Sequence, residues 1–187
     1  RFYEYNDSIE ELPTLTRTGY TFLGWYLDSN YQAPYNLSTM PSNDVIVYAK
    51  WQINTYTITF ESDGGSHVNS ITREFDMAIT EPTKPTKAGH VFRGWYIDPE
   101  FTEGYNFIRM GSSDLTLYAK WEANSYKITF RSNVGILIPD RIYEYNDFID
   151  ALPVLSEYGN TFLGWFTPNG EQLIVTSDTE YRITSDI

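Results

Sequence analysis

The stretch Tyr48-Ala49-Lys50-Trp51-Gln52-Ile53-Asn54-Thr55-Tyr56-Thr57-Ile58-Thr59-Phe60 returns 70 positions later as Tyr118-Ala119-Lys120-Trp121-Glu122-Ala123-Asn124-Ser125-Tyr126-Lys127-Ile128-Thr129-Phe130. A fixed period of this length marks a repeat architecture. Working outward, Gly24-Trp25 recurs at the same step as Gly94-Trp95 and Gly164-Trp165. Phe22, Phe92 and Phe162 keep register, as do Gly19, Gly89 and Gly159, and Glu4, Glu74 and Glu144. All 5 tryptophans fall on two repeat positions, Trp25/Trp95/Trp165 and Trp51/Trp121. The copies therefore run over 1–54, lacking the first strand, over 55–124, complete, and over 125–187, lacking the last strand.

Within one copy, Tyr56, Ile58 and Phe60 alternate with Thr57, Thr59 and Glu61, the period of a strand with one buried face. Ser62-Asp63-Gly64-Gly65 follows, and Asp-Gly between strands predicts a tight hairpin. In the third copy Asn133-Val134-Gly135 stands there; valine resists positive φ, which predicts a different turn. Residues 68–75 read as a second strand, matched by 1–5 and 141–145. Ser8 and Glu11 have the spacing of a capping box and Pro13 closes the run, so 8–13 reads as a short helix. Tyr20–Tyr26, Val91–Tyr96 and Thr161–Phe166 read as aromatic strands, and each Gly before Trp as a bulge or as room for a neighbouring ring. Val45–Trp51 and Leu115–Trp121 supply the last strand. Four strands with one short helical crossover make an α+β, mostly β unit of grasp type, repeated in an elongated array.

Such a unit is marginal alone, and stability must come from neighbours and from rings. The chain of 187 residues holds 16 Tyr, 11 Phe and 5 Trp despite a mean hydropathy of −0.40. The expected repeat core is Trp25, Trp51, Trp95, Trp121, Trp165, Phe22, Phe92, Phe162, Gly24, Gly94, Gly164, Tyr56, Phe60, Tyr126 and Phe130. Glu4 with Lys50, and Glu74 with Lys120, have equal spacing and are expected to form cross-strand ion pairs. The linkers Gln52-Ile53-Asn54 and Glu122-Ala123-Asn124 contain no Gly or Pro, which predicts limited bending.

The net charge is −12, which repels phosphate backbones and excludes nucleic acid as the natural partner. There is no cysteine, so no disulfide framework and no thiolate metal site. No apolar run approaches the roughly 20 residues of a membrane span, so no membrane insertion is expected in this segment.

Taken together, the strand Tyr-x-Ile-Thr-Phe, the Gly-Gly turn, Gly-x-x-Phe-x-Gly-Trp-Tyr and Leu-Tyr-Ala-Lys-Trp resemble the Listeria–Bacteroides repeat, the family of the internalin B repeat. The middle copy matches best, at Tyr56, Ile58, Phe60, Gly64, Gly65, Gly94, Trp95, Tyr96, Tyr118, Ala119 and Trp121. The resemblance implies a ubiquitin-like β-grasp fold, a bacterial extracellular or cell-wall setting, and a stalk or interaction module without catalytic residues.

Other chemistry is weakly signalled. His67 and His90 are replaced in sister copies and read as exposed loop histidines. Asp98, Glu100 and Glu103 lack the spacing of a calcium loop, and Asp28 with Asp98 reads as a turn cap. No catalytic motif, cofactor site or metal site is expected. The chain is expected to be a monomeric, non-enzymatic surface repeat that acts as a spacer or binds a host or bacterial surface protein weakly and many times. A carbohydrate-binding module attached to a secreted enzyme is the alternative, and it requires tryptophans exposed in a line.

Overall fold

The computed structural model describes residues 1–173; the end of the third copy, 174–187, lies outside them. The described residues are all β, with strands β1 (Tyr20–Tyr26), β2 (Tyr48–Ile53), β3 (Thr55–Glu61), β4 (Ile71–Glu74), β5 (His90–Tyr96), β6 (Leu115–Ala123), β7 (Ser125–Ile128), β8 (Arg141–Glu144), β9 (Trp165–Phe166) and β10 (Gln172–Leu173). They fall into two compact units.

The first unit takes residues 1–61, 68–83 and 97–117. In it β1 and β2 pair antiparallel, Tyr20 opposite Ile53 and Trp25 opposite Ala49, with a bulge between Phe22 and Gly24. β3 pairs with β4, Thr55 opposite Glu74 and Ile58 opposite Ile71. On its other edge β3 meets the start of β6, where the Thr57 N–H donates to the Asp114 carboxylate at 2.8 Å. The alternation read from the sequence is realised: Ile58 and Phe60 are buried, Thr59 and Glu61 exposed. Ile58, Phe60, Val68, Ile79, Met110 and Leu117 form the buried set of this unit.

The second unit takes residues 62–67, 84–96 and 118 onward. β5 pairs with β6, Phe92 opposite Trp121 and Trp95 opposite Ala119, again with a bulge before Gly94. β7 pairs with β8 and β9 with β10. Ile128, Phe130, Tyr143 and Ile149 make a core on which Tyr126, Ile138, Leu152 and Trp165 pack.

The α element expected from the sequence is absent among the described residues. Residues 9–13 form neither helix nor strand, and Ser8 makes a bridge to Thr39. Asn6 N–H donates to Met40 O (2.8 Å), Met40 N–H to Asp7 O (2.8 Å) and Ile9 N–H to Ser38 O (2.9 Å). The second copy repeats this with Asp76 to Met110, Met110 to Met77 and Ile79 to Ile108. These backbone groups have partners on a distant segment. A run this short cannot repay helix nucleation against such competition.

The hairpin reading also needs correction. Asp63 (φ 45°) and Gly64 (φ 76°) do form a primed turn, closed by Gly65 N–H to Ser62 O at 2.9 Å. But β3 and β4 first pair at Ile58 and Ile71, so a wide loop separates them. In the third copy Gly135 takes positive φ and Val134 does not, the expected change of turn. Residues 1–5, expected as a strand, form none. In the third copy only Trp165–Phe166 of the aromatic segment is a strand, paired with Gln172–Leu173 rather than with a Tyr-Ala-Lys-Trp strand.

Candidate functional site

Each aromatic segment brings a phenylalanine into contact with the tryptophan three residues on, across the bulge in the first two copies. Phe22 meets Trp25 at 5.6 Å and Trp51 at 5.2 Å between ring centroids. Phe92 meets Trp95 at 5.3 Å and Trp121 at 5.4 Å. In the third copy Trp165 meets Phe162 at 5.6 Å and Phe130 at 5.0 Å. These contacts, edge-to-face except for the tilted pair Phe22–Trp51, add to the burial of area. The Trp25 and Trp165 indoles donate to the carbonyls of Pro13 (2.9 Å) and Pro153 (2.8 Å), and Trp121 to that of Ser62 (2.9 Å). Trp95 is buried and the other four are half-buried. Gly24, Gly94 and Gly164 have φ of 121°, 122° and 121°, so it is the positive φ, at a bulge in the first two copies, that selects glycine. A Cβ on Gly94 would meet nothing nearer than Tyr96 at 3.8 Å. The cost of Gly94→Ala is therefore conformational, and urea unfolding should show a loss of about 1–3 kcal/mol.

Tyr56 and Tyr126 lie beside an asparagine that the sequence reading took as plain linker. Asn54 N–H donates to Gly19 O (2.9 Å) while Asn54 O accepts from Phe75 N–H (2.8 Å). Asn124 does the same with Gly89 (2.8 Å) and Tyr145 (2.7 Å). The Asn54 and Asn124 amides donate to the Tyr56 and Tyr126 hydroxyls, each at 3.3 Å. One residue thus ties the loop of one repeat to the turn of the next.

The turn residue seats a ring on the loop. A Cβ added to Gly19 would lie 2.1 Å from Phe75, and one added to Gly89 would lie 2.0 Å from Tyr145. Both glycines have positive φ, 75° and 66°. Tyr20 and His90 form the wall, with T-shaped contacts to Phe75 at 6.2 Å and Tyr145 at 5.8 Å. His90 is therefore a half-buried strand residue and not an exposed loop histidine; His67 is exposed. The recurrence of Gly19 and Gly89, and of an aromatic one residue after Glu74 and Glu144, was the signal that could have identified this joint.

The charged candidates sit on the surface. The Lys50 ammonium lies 5.0 Å from the Tyr26 ring centroid and 5.6 Å from that of Tyr31, and Lys120 lies 5.1 Å from that of Tyr96. Glu4 stands exposed in its turn, its N–H donating to Asp7 at 2.7 Å; Glu74 is exposed at the end of β4. Asp28 accepts from the N–H groups of Ala33, Gln32 and Asn30. Asp98 accepts from Thr102 N–H and Oγ1–H and from Glu103 N–H. Backbone donation, led by Thr102 for Asp98 and by Ala33 for Asp28, holds both carboxyls below the ordinary 3.8. A lowered folded value stabilises the loop above the unfolded value, and that contribution is lost as pH falls through the folded one. NMR shifts of the Thr102 and Glu103 amides should titrate with a midpoint under 3.8; a midpoint at or above 3.8 contradicts the cap. Among the described residues no group of three or more metal-ligating side chains comes together. A cavity of about 370 Å³ follows Asn160–Phe166, the stretch that β2 and β6 cover in the other copies.

The profile of a family described as the Listeria-Bacteroides repeat domain matches residues 2–50, 56–120 and 126–187. Two proteins of Evansella cellulosilytica are similar. One, provisionally named a Gly-rich membrane protein, is 38% identical over 88% of this chain and 20% of its own length. The other, provisionally named a membrane protein, is 39% identical over 98% of this chain and 29% of its own. Internalin H of Listeria monocytogenes is 35% identical over 64% of this chain and 22% of its own length. The chain spans less than a third of each of these relatives.

Proposed function

The chain belongs to the Listeria-Bacteroides repeat family, and on that premise we propose that it is a non-catalytic spacer segment of a bacterial surface protein. The observation that carries this reading is the joint. Gly19 with Phe75, and Gly89 with Tyr145, couple successive repeats through the same ring, turn and asparagine. A device that repeats with the period of the sequence serves extension: each added copy adds one joint and one length. We take the repeat to be a grasp-like unit whose crossover is non-helical and pinned by its bonds to residues 38–40.

The likeness to internalin H supports display at the cell surface. No helix among the described residues is long and apolar enough to cross a membrane. Weak binding to a surface protein can be added to the spacer role, because repeated sites gain avidity without new contacts. A sugar-binding role finds no support in the tryptophans, whose rings pack on phenylalanines and whose observed N–H bonds go to backbone carbonyls.

The test is small-angle scattering of chains of two, three and four repeats beside binding to a panel of extracellular-matrix proteins, host cells and glycans. The spacer reading expects the maximum dimension to grow in equal steps and no saturable binding. Saturable protein binding would make it an adhesive module, and a maximum dimension that fails to grow would overturn the spacer.

A further inference from the structure

The complete middle copy sets its first and last strands side by side at the centre of a sheet, in the order β4-β3-β6-β5. Two bonds give their direction. The Thr57 N–H donates to Asp114 at 2.8 Å, and Asp114 is the residue before β6 begins. The Trp121 indole donates to the carbonyl of Ser62 at 2.9 Å, and Ser62 is the residue after β3 ends. Start lies beside start and end beside end, so β3 and β6 run parallel.

That direction has a mechanical consequence. In a chain under tension this copy is pulled through Thr55, where β3 begins, and through Ala123, where β6 ends. These points lie at opposite ends of the parallel pair. The pull therefore runs along the strands, and the hydrogen bonds between them are loaded together instead of one after another. β4 and β5, which pair antiparallel with β3 and β6, stand at the edges of the sheet and carry neither pulled end. Among the described residues the largest fully buried side chains, Ile58 (1% exposed) and Leu117 (0%), stand on these two strands. The centre of the pair is thus closed to the water that would exchange for its bonds. At the end where the pull enters, the acceptor for Thr57 is a carboxylate, and a charged acceptor makes the stronger bond.

We propose that this copy is a load-bearing clamp, in which β3 and β6 resist tension by shear and Asp114 closes the pair at the end where the pull enters. The proposal rests on the spacer reading and adds to it: the segment holds its length under load as well as setting it. Resistance to a pull is governed by the unfolding rate along that direction and not by stability alone. A copy of about 70 residues without disulfides has only a modest stability, and the shear arrangement lets it hold nonetheless.

Pulling the whole chain in optical tweezers tests this. The chain has no cysteine, so two introduced cysteines give unique handles. Thr55→Cys with Glu122→Cys pulls along the strands. Glu61→Cys with Glu122→Cys holds both strands at the same end and pulls them apart. All three positions are exposed, and Glu122→Cys is common to both pairs, so its lost contact with Arg93 weighs equally on each. The first pair should rupture at a force several-fold above the second, each in one step that releases roughly 200 Å of chain at about 3.5 Å per residue. Asp114→Ala should lower the force in the first geometry and leave the second unchanged, because peeling starts at the other end. A variant that merely loosens the fold would lower both. Equal forces in the two geometries overturn the proposal. So does an Asp114→Ala chain whose force falls equally in both, or in neither. A maximum dimension that grows with copy number while the two forces are equal would keep the spacer and remove the clamp.

Discussion

Trp95→Ala is expected to lower stability by about 3–5 kcal/mol, the range of a large aromatic removed from a core. Trp95 is 2% exposed, lies opposite Ala119 and touches Phe92 edge to face. Ala119 is itself buried and small, so nothing across the ladder can swing in to fill the space. The neighbouring bulge fixes the backbone at Gly94 and hinders collapse of the strand. Trp25→Ala should cost less, because Trp25 is only half-buried, although it also orphans the Pro13 carbonyl that the indole serves. Urea unfolding followed by circular dichroism gives both values. A loss at Trp95 no greater than at Trp25 would contradict this account of the core.

Gly19→Val is the second large effect, about 2–4 kcal/mol, from two separable causes. A β-branched residue at φ 75° is strained whatever the space around it. The ring of Phe75 also occupies the place of the new Cβ, at 2.1 Å, so the ring must leave its seat. The companion variant Phe75→Ala removes the ring and leaves the backbone strain. If the clash is real, Gly19→Val should cost less in the Phe75→Ala background than in the parent, with a coupling of about 0.5–3 kcal/mol. Additive losses would mean that the ring and the glycine do not act together. Gly159→Val, with open space around it, should show the strain alone and so the smaller loss.

What was legible in the sequence was what repeats and alternates. Tyr56, Ile58 and Phe60 announced β3 because period two has one structural meaning. The aromatic strands and the Tyr-Ala-Lys-Trp strands fell out of register matching alone. The helix at 8–13 was misread because Ser8, Glu11 and Pro13 are local signals. The competing partners, Ser38, Thr39 and Met40, lie some thirty residues away and leave no mark within the window. Asp63-Gly64 fixed its turn correctly but could not say when pairing resumes. Gly19 and Gly89 were visible as recurrences, yet their role needs Phe75 and Tyr145 in space. Asn54 and Asn124 looked like connectors because their main contribution is backbone N–H and C=O, which every residue carries. Their side chains reach the Tyr56 and Tyr126 hydroxyls at 3.3 Å, and that pairing two residues apart was open to notice.

The placement of both joint halves inside every repeat bears on how such a gene can change length. Unequal crossing-over that inserts or deletes one whole period joins an aromatic turn to a glycine loop, whichever copies recombine. The new junction is chemically the same as the old one, and no compensating substitution is required. Breakpoints out of phase with the period would separate a glycine from its ring. Copy number is thus free to drift among descendants of one gene, while the phase of the repeat is held by a ring and a missing side chain.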